Sequence, residues 1–449
     1  MAGDTVGQVK DRLTIVDVVG QVVKLRKAGR SYVGLCPFHK EKTPSFHVSL
    51  ERGSYHCFGC GEGGDIFSFV EKTEGVDFKG ALKILAERAG VELVYSGGDK
   101  KAKDRAERLR DAMARAEQFY AAQLAEGSAA YGYARSRGLH AETIQDWGLG
   151  FAPDAWRVLL EHLAAAGFAN DEMLAAGLIK EADGKPGTYY DRFRARLMFP
   201  IRDTAGRVVA FTGRALKEDE LAKYLNSPET ELYRKSEILF GLDRAKDQIR
   251  LRGFALLVEG QMDLLMARQA GFANVVAVSG TAFTEAHAKL LKRYAENLLL
   301  CLDADTAGLA ATQKAALLAL AAGMQVKVAR LPAGKDPADL VAEDPQEFAR
   351  ALREAAPVVE FFLAELARRE RDQHRLVRQA ERGVLPLIAA MRSPMEREHF
   401  AAVAARALGL SIEAIKEALG RPPRSPRLPR SSRPQPPTEV RLPSERKSD

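Results

Sequence analysis

The sequence has 449 residues, 46% of them hydrophobic, and a formal net charge of +7. That length is too great for one ordinary core and predicts two to four domains. No apolar run approaches a membrane span and the first residues show no secretory pattern, so a soluble cytoplasmic protein with no membrane partner is expected.

The charge suggests nucleic acid, but its distribution weakens the argument. Residues 421–449 hold seven Arg and one Lys against three acids, so most of the excess sits there. The same stretch has eight Pro and five Ser and no hydrophobic period, and is expected to be disordered. The body is nearly neutral, so a nucleic-acid surface must be argued from local placement.

In chain order, residues 1–95 form a first unit. Strand-like stretches (SYVGLC, SFHVSL, YHCFGC) precede helical patterns at 65–72 and 78–89. CPFH and CFGC place Cys36, His39, Cys57 and Cys60 as C-x2-H and C-x2-C, with 17 residues between the halves. Each two-residue spacer lets a tight turn aim two side chains at one ion, and four protein ligands suit one structural zinc. Gly59 is expected to give the second turn its freedom. His47 and His56 lack the paired spacing. Lys40, Lys42, Phe46, Tyr55 and Phe58 mix basic and aromatic groups; they fit either a single-strand binder or a small domain's core.

Residues 96–105 read as a linker opening into a charged helix from about 100 to 126. Residues 106–245 mix short helices and strands, with two strands around the turn DTAG. In RFRAR, Arg192, Arg194 and Arg196 alternate with apolar residues, and period two predicts one strand face carrying three guanidinium groups. Residues 190–240 hold eight acids against ten Arg and Lys, so an ordinary solvated sheet face is the competing reading.

Residues 246–356 alternate strand and helix four times and predict a parallel sheet flanked by helices. FALLVE ends at Glu259, with Asp263 one turn into the next helix. NLLLCLDAD ends at Asp303 and Asp305. The fourth strand leads to GKDPADL, with Asp336 and Asp339. Ligands bind beyond the carboxyl ends of such strands. Acids converging there repel unless cations lie between them, and oxygen-only ligands suit magnesium or manganese. Taken singly, Asp303 or Asp305 would be a helix cap. Residues 357–420 read as a helical subdomain. The fold class is thus multidomain, α+β and α/β.

VEGQMD, SGTAFTEAH, LDADTAG and GKDPADL resemble the toprim module. With the Cys-His-Cys-Cys ribbon, YDRFRARLMFPI and KYLNSPET, the chain resembles the bacterial DNA primases through about residue 420. The resemblance implies an RNA polymerase that makes short primers on single-stranded DNA from ribonucleoside triphosphates. It implies catalytic metal acids at Glu259, Asp303 and Asp305, accessory acids at Asp263 and Asp336, and two or more magnesium or manganese ions. It also implies a template- and nucleotide-binding groove at Arg137, Arg192, Arg194, Arg214, Lys223, Tyr224, Asn226 and Lys235. Gln261 stands where these proteins often have Tyr, and Ala338 where a second acid is common. No G-x4-G-K-[ST] occurs, so duplex opening would need a separate replicative helicase; the helical helicase-binding domain usual in the family is not evident. The rival readings are another toprim enzyme (topoisomerase or nuclease) and a noncatalytic zinc-and-toprim DNA-binding protein.

Overall fold

A computed structural model describes residues 2–420 except 40, 75, 92–96, 217–221 and 333. Lys40 and the tail 421–449 lie outside the described residues. Among the described residues no helix is long and apolar enough to cross a membrane.

The N-terminal unit is an antiparallel sheet of five short strands in sequential order, from Arg26–Ala28 to Gly63–Gly64. Helices Ile66–Glu74 and Phe78–Ala89 pack with it, close to the sequence expectation. Phe46 stacks on Tyr55 at 5.1 Å, with Phe38 and Phe69 against both, all in one core. The two readings of the aromatics therefore divide. Phe46 and Tyr55 are core, because so small a unit needs every apolar group. Phe58 is 71% exposed.

The stretch expected as a linker is helical from Gly97, inside the helix Gly97–Gln123. Lys, Asp, Ala, Arg and Glu all propagate a helix once it is begun and docked, which composition read as a linker conceals.

That helix covers one face of a four-stranded antiparallel sheet. Its order is Tyr224–Asn226, Val208–Ala215, Arg196–Arg202, Gly150–Ala152. Period two sends Leu197, Phe199 and Ile201 into the core shared with the parallel sheet, and Met198 toward Leu109, Met113 and Tyr120 of the helix. Both faces of the central strands are thus buried, which corrects the expected arginine-lined strand face. Ala195 has φ +51°, so the chain turns there and the strand begins only at Arg196. Arg192 and Arg194 lie before the turn. Arg196 is buried and donates to the carbonyls of Gly213 and Ala222.

The parallel sheet has the order Val275–Ala277, Phe254–Val258, Asn297–Leu300, Gln325–Val328, with Ala356–Pro357 added antiparallel at the edge. That edge strand is two residues long and carries no sequence signal. From Phe254–Val258 the chain moves to one side, then returns to the other to form Asn297–Leu300. The strand order therefore reverses between these two neighbours, and a crevice opens beyond their carboxyl ends. Helices between Val358 and Gly420 close the other side through Val359, Leu387 and Ala404, packed with Ala315, Ala316 and Leu320.

Asp191 fixes the entry to helix Val158–Ala165. It is buried, and its carboxylate accepts the N–H groups of Leu159 and Leu160 at 2.8 and 2.9 Å. Removing it strands two donors away from water. Asp191→Ala is expected to lower unfolding stability by about 3 kcal/mol, checked by urea unfolding of zinc-loaded protein.

Candidate functional site

The four predicted zinc ligands meet. Their ligand atoms lie within 4.8 Å of one another. Cys36 Sγ is 3.8 Å from Cys60 Sγ, and Cys57 Sγ is 3.7 Å from His39 Nδ1. A tetrahedron with Zn–S bonds of about 2.3 Å has edges of about 3.8 Å, so the donors fit one zinc. Glu41, which carried no sequence signal, organises the loop. It accepts the N–H of Cys36 at 2.7 Å and of Ser45 at 3.1 Å, and lies 3.3 Å from His39 Nε2. The Ser45 hydroxyl also bonds to it, and this bond leads the causes that hold its pKa below the usual range. A carboxylate on the outer nitrogen of His39 orients Nδ1 toward the ion. Gly59 is needed for space, not for turn freedom. A Cβ there would stand 2.6 Å from His39 Nε2, and its φ is not positive.

The acids stand beyond the strand ends that flank the crevice. Glu259 follows Phe254–Val258, while Asp303 and Asp305 follow Asn297–Leu300. Asp305 caps helix Thr306–Ala321 by accepting from Gly308 N at 2.7 Å. Asp336 caps Pro337–Glu343 by accepting from Asp339 N at 2.7 Å. Asp263 is buried and joins two loops, accepting from Gly260 N at 2.9 Å and Ala338 N at 3.2 Å. Asp303 differs, because its Oδ1 is buried without a hydrogen-bond partner. Gly308 makes room for this turn, since a Cβ there would meet the Asp303 carbonyl oxygen at 2.1 Å.

These groups feel one another. Burial, then Glu259, Asp336 and Asp305, push Asp303 up to about 6. Burial and Asp336 lead the causes that raise Asp263 to about 7. Glu259 is raised by partial desolvation and by Asp305. An orphaned buried oxygen amid mutually repelling carboxylates fits a divalent cation. Among the described residues, however, only the Cys36 group brings ligand atoms together tightly enough to surround a single point.

Part of the predicted basic set faces these acids. Lys223 lowers the pKa of Asp303, and Asp263 raises that of Tyr224. Arg214 is buried between two tyrosines, donating to Tyr133 Oη and Tyr224 Oη, each at 2.7 Å. Arg192 donates to the Asn226 carbonyl at 2.9 Å. Arg194 lies 4.0 Å above the ring of Trp156, with Tyr190 beside it. Trp156, 63% exposed, was not singled out from sequence; its only signal there was rarity, as one of two Trp. Arg137 is exposed at the end of helix Ala129–Ser136. Lys235 is half-buried; its N–H bonds to Glu229, and its carbonyl lies 3.1 Å from His287 Nε2.

Three families match in sequence. The CHC2 zinc finger matches residues 1–101, the DNA primase catalytic core N-terminal domain 119–246, and the Toprim-like domain 256–341. The DNA primase of Geobacillus stearothermophilus is 40% identical over 444 residues, covering 96% of this chain and 73% of that protein. That of Clostridium acetobutylicum is 41% identical over 365 residues, covering 80% and 60%. The chain thus spans about three fifths to three quarters of these relatives. The zinc-binding and RNA polymerase domains of the Aquifex aeolicus primase superpose with a TM-score of 0.62 at 32% identity, over 92% of this chain and 98% of that one. A DnaG primase catalytic domain bound to single-stranded DNA gives 0.61 at 32% identity, over 70% and 99%. The rival toprim readings draw no support from these relatives.

Two outcomes follow from this geometry. Glu41→Ala is expected to weaken zinc retention about tenfold or more, measured by chelator competition. Asp303 has a folded pKa of about 6 against an unfolded value near 3.9. Its contribution to stability is whole below the unfolded value and is lost as pH rises through about 6. Without added divalent cations, Asp303→Asn should match wild type at pH 4 and exceed it by about 1–2 kcal/mol at pH 8 in denaturant titrations.

Proposed function

Because the chain belongs to the DNA primase family, we propose that it copies single-stranded DNA into short RNA primers from ribonucleoside triphosphates. The observation that carries this reading is the gathering of five acids beyond adjoining parallel strand ends, where Asp305 and Asp336 add to the burial that raises Glu259, Asp263 and Asp303, with Lys223 facing them.

Glu259, Asp303 and Asp305 would hold magnesium or manganese, and Asp263 and Asp336 would complete the charge of the pocket. When bound, such ions neutralise triphosphate charge and favour ionisation of the attacking primer 3′-hydroxyl. Asp303 offers its unpartnered Oδ1. Asp305 holds the first turn of its helix still while presenting its remaining carboxylate oxygen. Lys223 supplies positive charge beside Asp303 and can pair with a nucleotide phosphate. Arg214, held by Tyr133 and Tyr224, keeps a fixed cation behind that side of the crevice.

Arg137, Arg192, Arg194 and Lys235 are assigned to the template groove. The Trp156–Arg194–Tyr190 stack supports that assignment, since an exposed ring beside a guanidinium suits a single-stranded base and its phosphate. The zinc unit holds one structural ion. The functional limits are zinc ribbon 1–95, template-binding subdomain 106–245, entered through the start of helix Gly97–Gln123, toprim-like subdomain 246–356, helical subdomain 357–420 and tail 421–449. The enzyme acts in the cytoplasm at replication forks, beside a replicative helicase that opens the duplex.

Wild type and Asp303→Ala would be compared on single-stranded DNA with ribonucleoside triphosphates and magnesium or manganese. Short RNA from wild type and a loss on the order of 10²–10³-fold in the variant is the expected result. Equal synthesis by both would remove Asp303 from the site. No synthesis by wild type across several templates and both metals would overturn the polymerase reading.

A further inference from the structure

Gln261 is buried, one residue beyond Gly260 in the first turn of helix Gln261–Gln269. Its amide nitrogen donates to Thr212 Oγ1 at 3.0 Å and to the Ser279 hydroxyl. Thr212 belongs to the antiparallel sheet, whereas Ser279 lies in the loop after strand Val275–Ala277 of the parallel sheet. The Thr212 hydroxyl donates in turn to Asn226 Oδ1. Asn226 Nδ2 reaches back to the Ser279 backbone carbonyl at 3.5 Å, which closes a ring of four residues across the seam. Both polar ends of Asn226 are thus engaged inside the protein, and its carbonyl is held by Arg192. Asn226 is therefore held in place by its neighbours.

The ring reaches the acids through the backbone. Ser279 N–H donates to the Glu259 carbonyl at 3.1 Å. Ser279 has φ +58°, an unusual conformation for a residue with a side chain, and is 4% exposed. Its neighbour Gly280 has no space for a Cβ, which would stand 2.4 Å from Asn226 Nδ2. A strained residue persists only where surrounding contacts over-determine it, and here the Gln261 amide holds its hydroxyl. Gln261 can serve both hydroxyls because one amide nitrogen carries two donors. The two hydroxyls lie only 3.4 Å apart, so a hydrocarbon side chain of similar size would remove the amide donor from both and leave them a single long contact with each other.

We propose that Gln261 is a positioning residue that ties the antiparallel sheet to the acid-bearing strand ends through Thr212, Ser279 and Asn226, and so sets the place of Glu259 in the divalent-cation site. This rests on the proposed assignment of Glu259, Asp303 and Asp305 to that site. Gln261 touches neither substrate nor metal and acts through Ser279 and the Glu259 backbone.

The test uses the whole chain, loaded with zinc, and reads Mn²⁺ binding by electron paramagnetic resonance alongside primer synthesis and melting temperature. Gln261→Leu should weaken Mn²⁺ binding by about tenfold, the usual scale for a group supporting a metal ligand. Thr212→Val added to it should cost little more, because the ring is already open. Ser279→Gly guards against misfolding. Glycine adopts φ +58° without strain, so this variant loses the hydroxymethyl group and its hydrogen bond while the backbone conformation is kept. It should bind Mn²⁺ several-fold more weakly at an unchanged or raised melting temperature. Mn²⁺ binding equal to wild type in both Gln261→Leu and Ser279→Gly overturns the proposal. So does a loss confined to Gln261→Leu that follows its melting temperature. Wild type that binds Mn²⁺ but makes no primer would defeat the polymerase reading while leaving these comparisons decisive for Gln261.

Discussion

Like charge held at the carboxyl end of a buried parallel sheet is the constraint on which the rest of the structure depends. Glu259, Asp263, Asp303 and Asp336 are gathered there, and the raised values of Asp263 and Asp303 record burial first and then repulsion from neighbouring acids. No apolar packing can relieve it. The fold answers with oriented dipoles: helix N-termini meet Asp305 and Asp336, and two backbone N–H groups meet Asp263. Lys223 brings a whole charge from the neighbouring sheet. What these do not satisfy is Asp303 Oδ1, which remains partnerless at the floor of the crevice. The unrelieved fraction of the repulsion is what a divalent cation can use.

Sheet order determines where that fraction sits. Residues Leu256 and Leu299 pair across neighbouring parallel strands, and continuing that register puts Glu259 opposite Leu302, so Asp303 leaves the adjoining strand end one residue further along. The reversal of strand order between them sends the following helices to opposite faces, leaving the crevice uncovered by either. The antiparallel sheet then closes on this core through Leu197, Phe199 and Ile201. Arg214 and Tyr224 thereby come near the acids with their positions already fixed by packing, and no loop has to find them on binding.

The parts legible in the sequence are those set by local pattern. The zinc ligands follow from two short spacings, and the parallel sheet from four oily strands separated by three helical stretches. The acids were legible because three strand ends carried them. The arginine strand was misread because alternation in RFRAR assumes extended backbone throughout, while Ala195 turns at φ +51°. Nothing in the residue type announces that turn. The role of Gly59 was misassigned because the His39 ring beside it comes from another loop. Glu41 was invisible for a different reason: its partners Cys36, Ser45 and His39 lie within five residues of it, but only the folded loop turns them toward its carboxylate. Single-residue polar contacts made across the fold leave no period in the chain.

The zinc cluster and the strand-end acids differ physically. At the ribbon the donors already stand at tetrahedral edges of 3.7–3.8 Å, and Glu41 holds the outer face of His39. A closed set of protein ligands leaves no coordination position for substrate, so this ion is structural. At the strand ends the acids are spread across separate helix starts, and two of them are partly used as caps. A spread, oxygen-only set leaves room for phosphate and hydroxyl oxygens to complete the coordination, which nucleotidyl transfer requires. The cost of that openness is repulsion among the acids in the absence of cations. It is offset elsewhere, by strands buried on both faces and by a seam whose hydroxyls are bonded within the protein. The rigid surroundings hold the acids together although one of their buried oxygens stays unsatisfied.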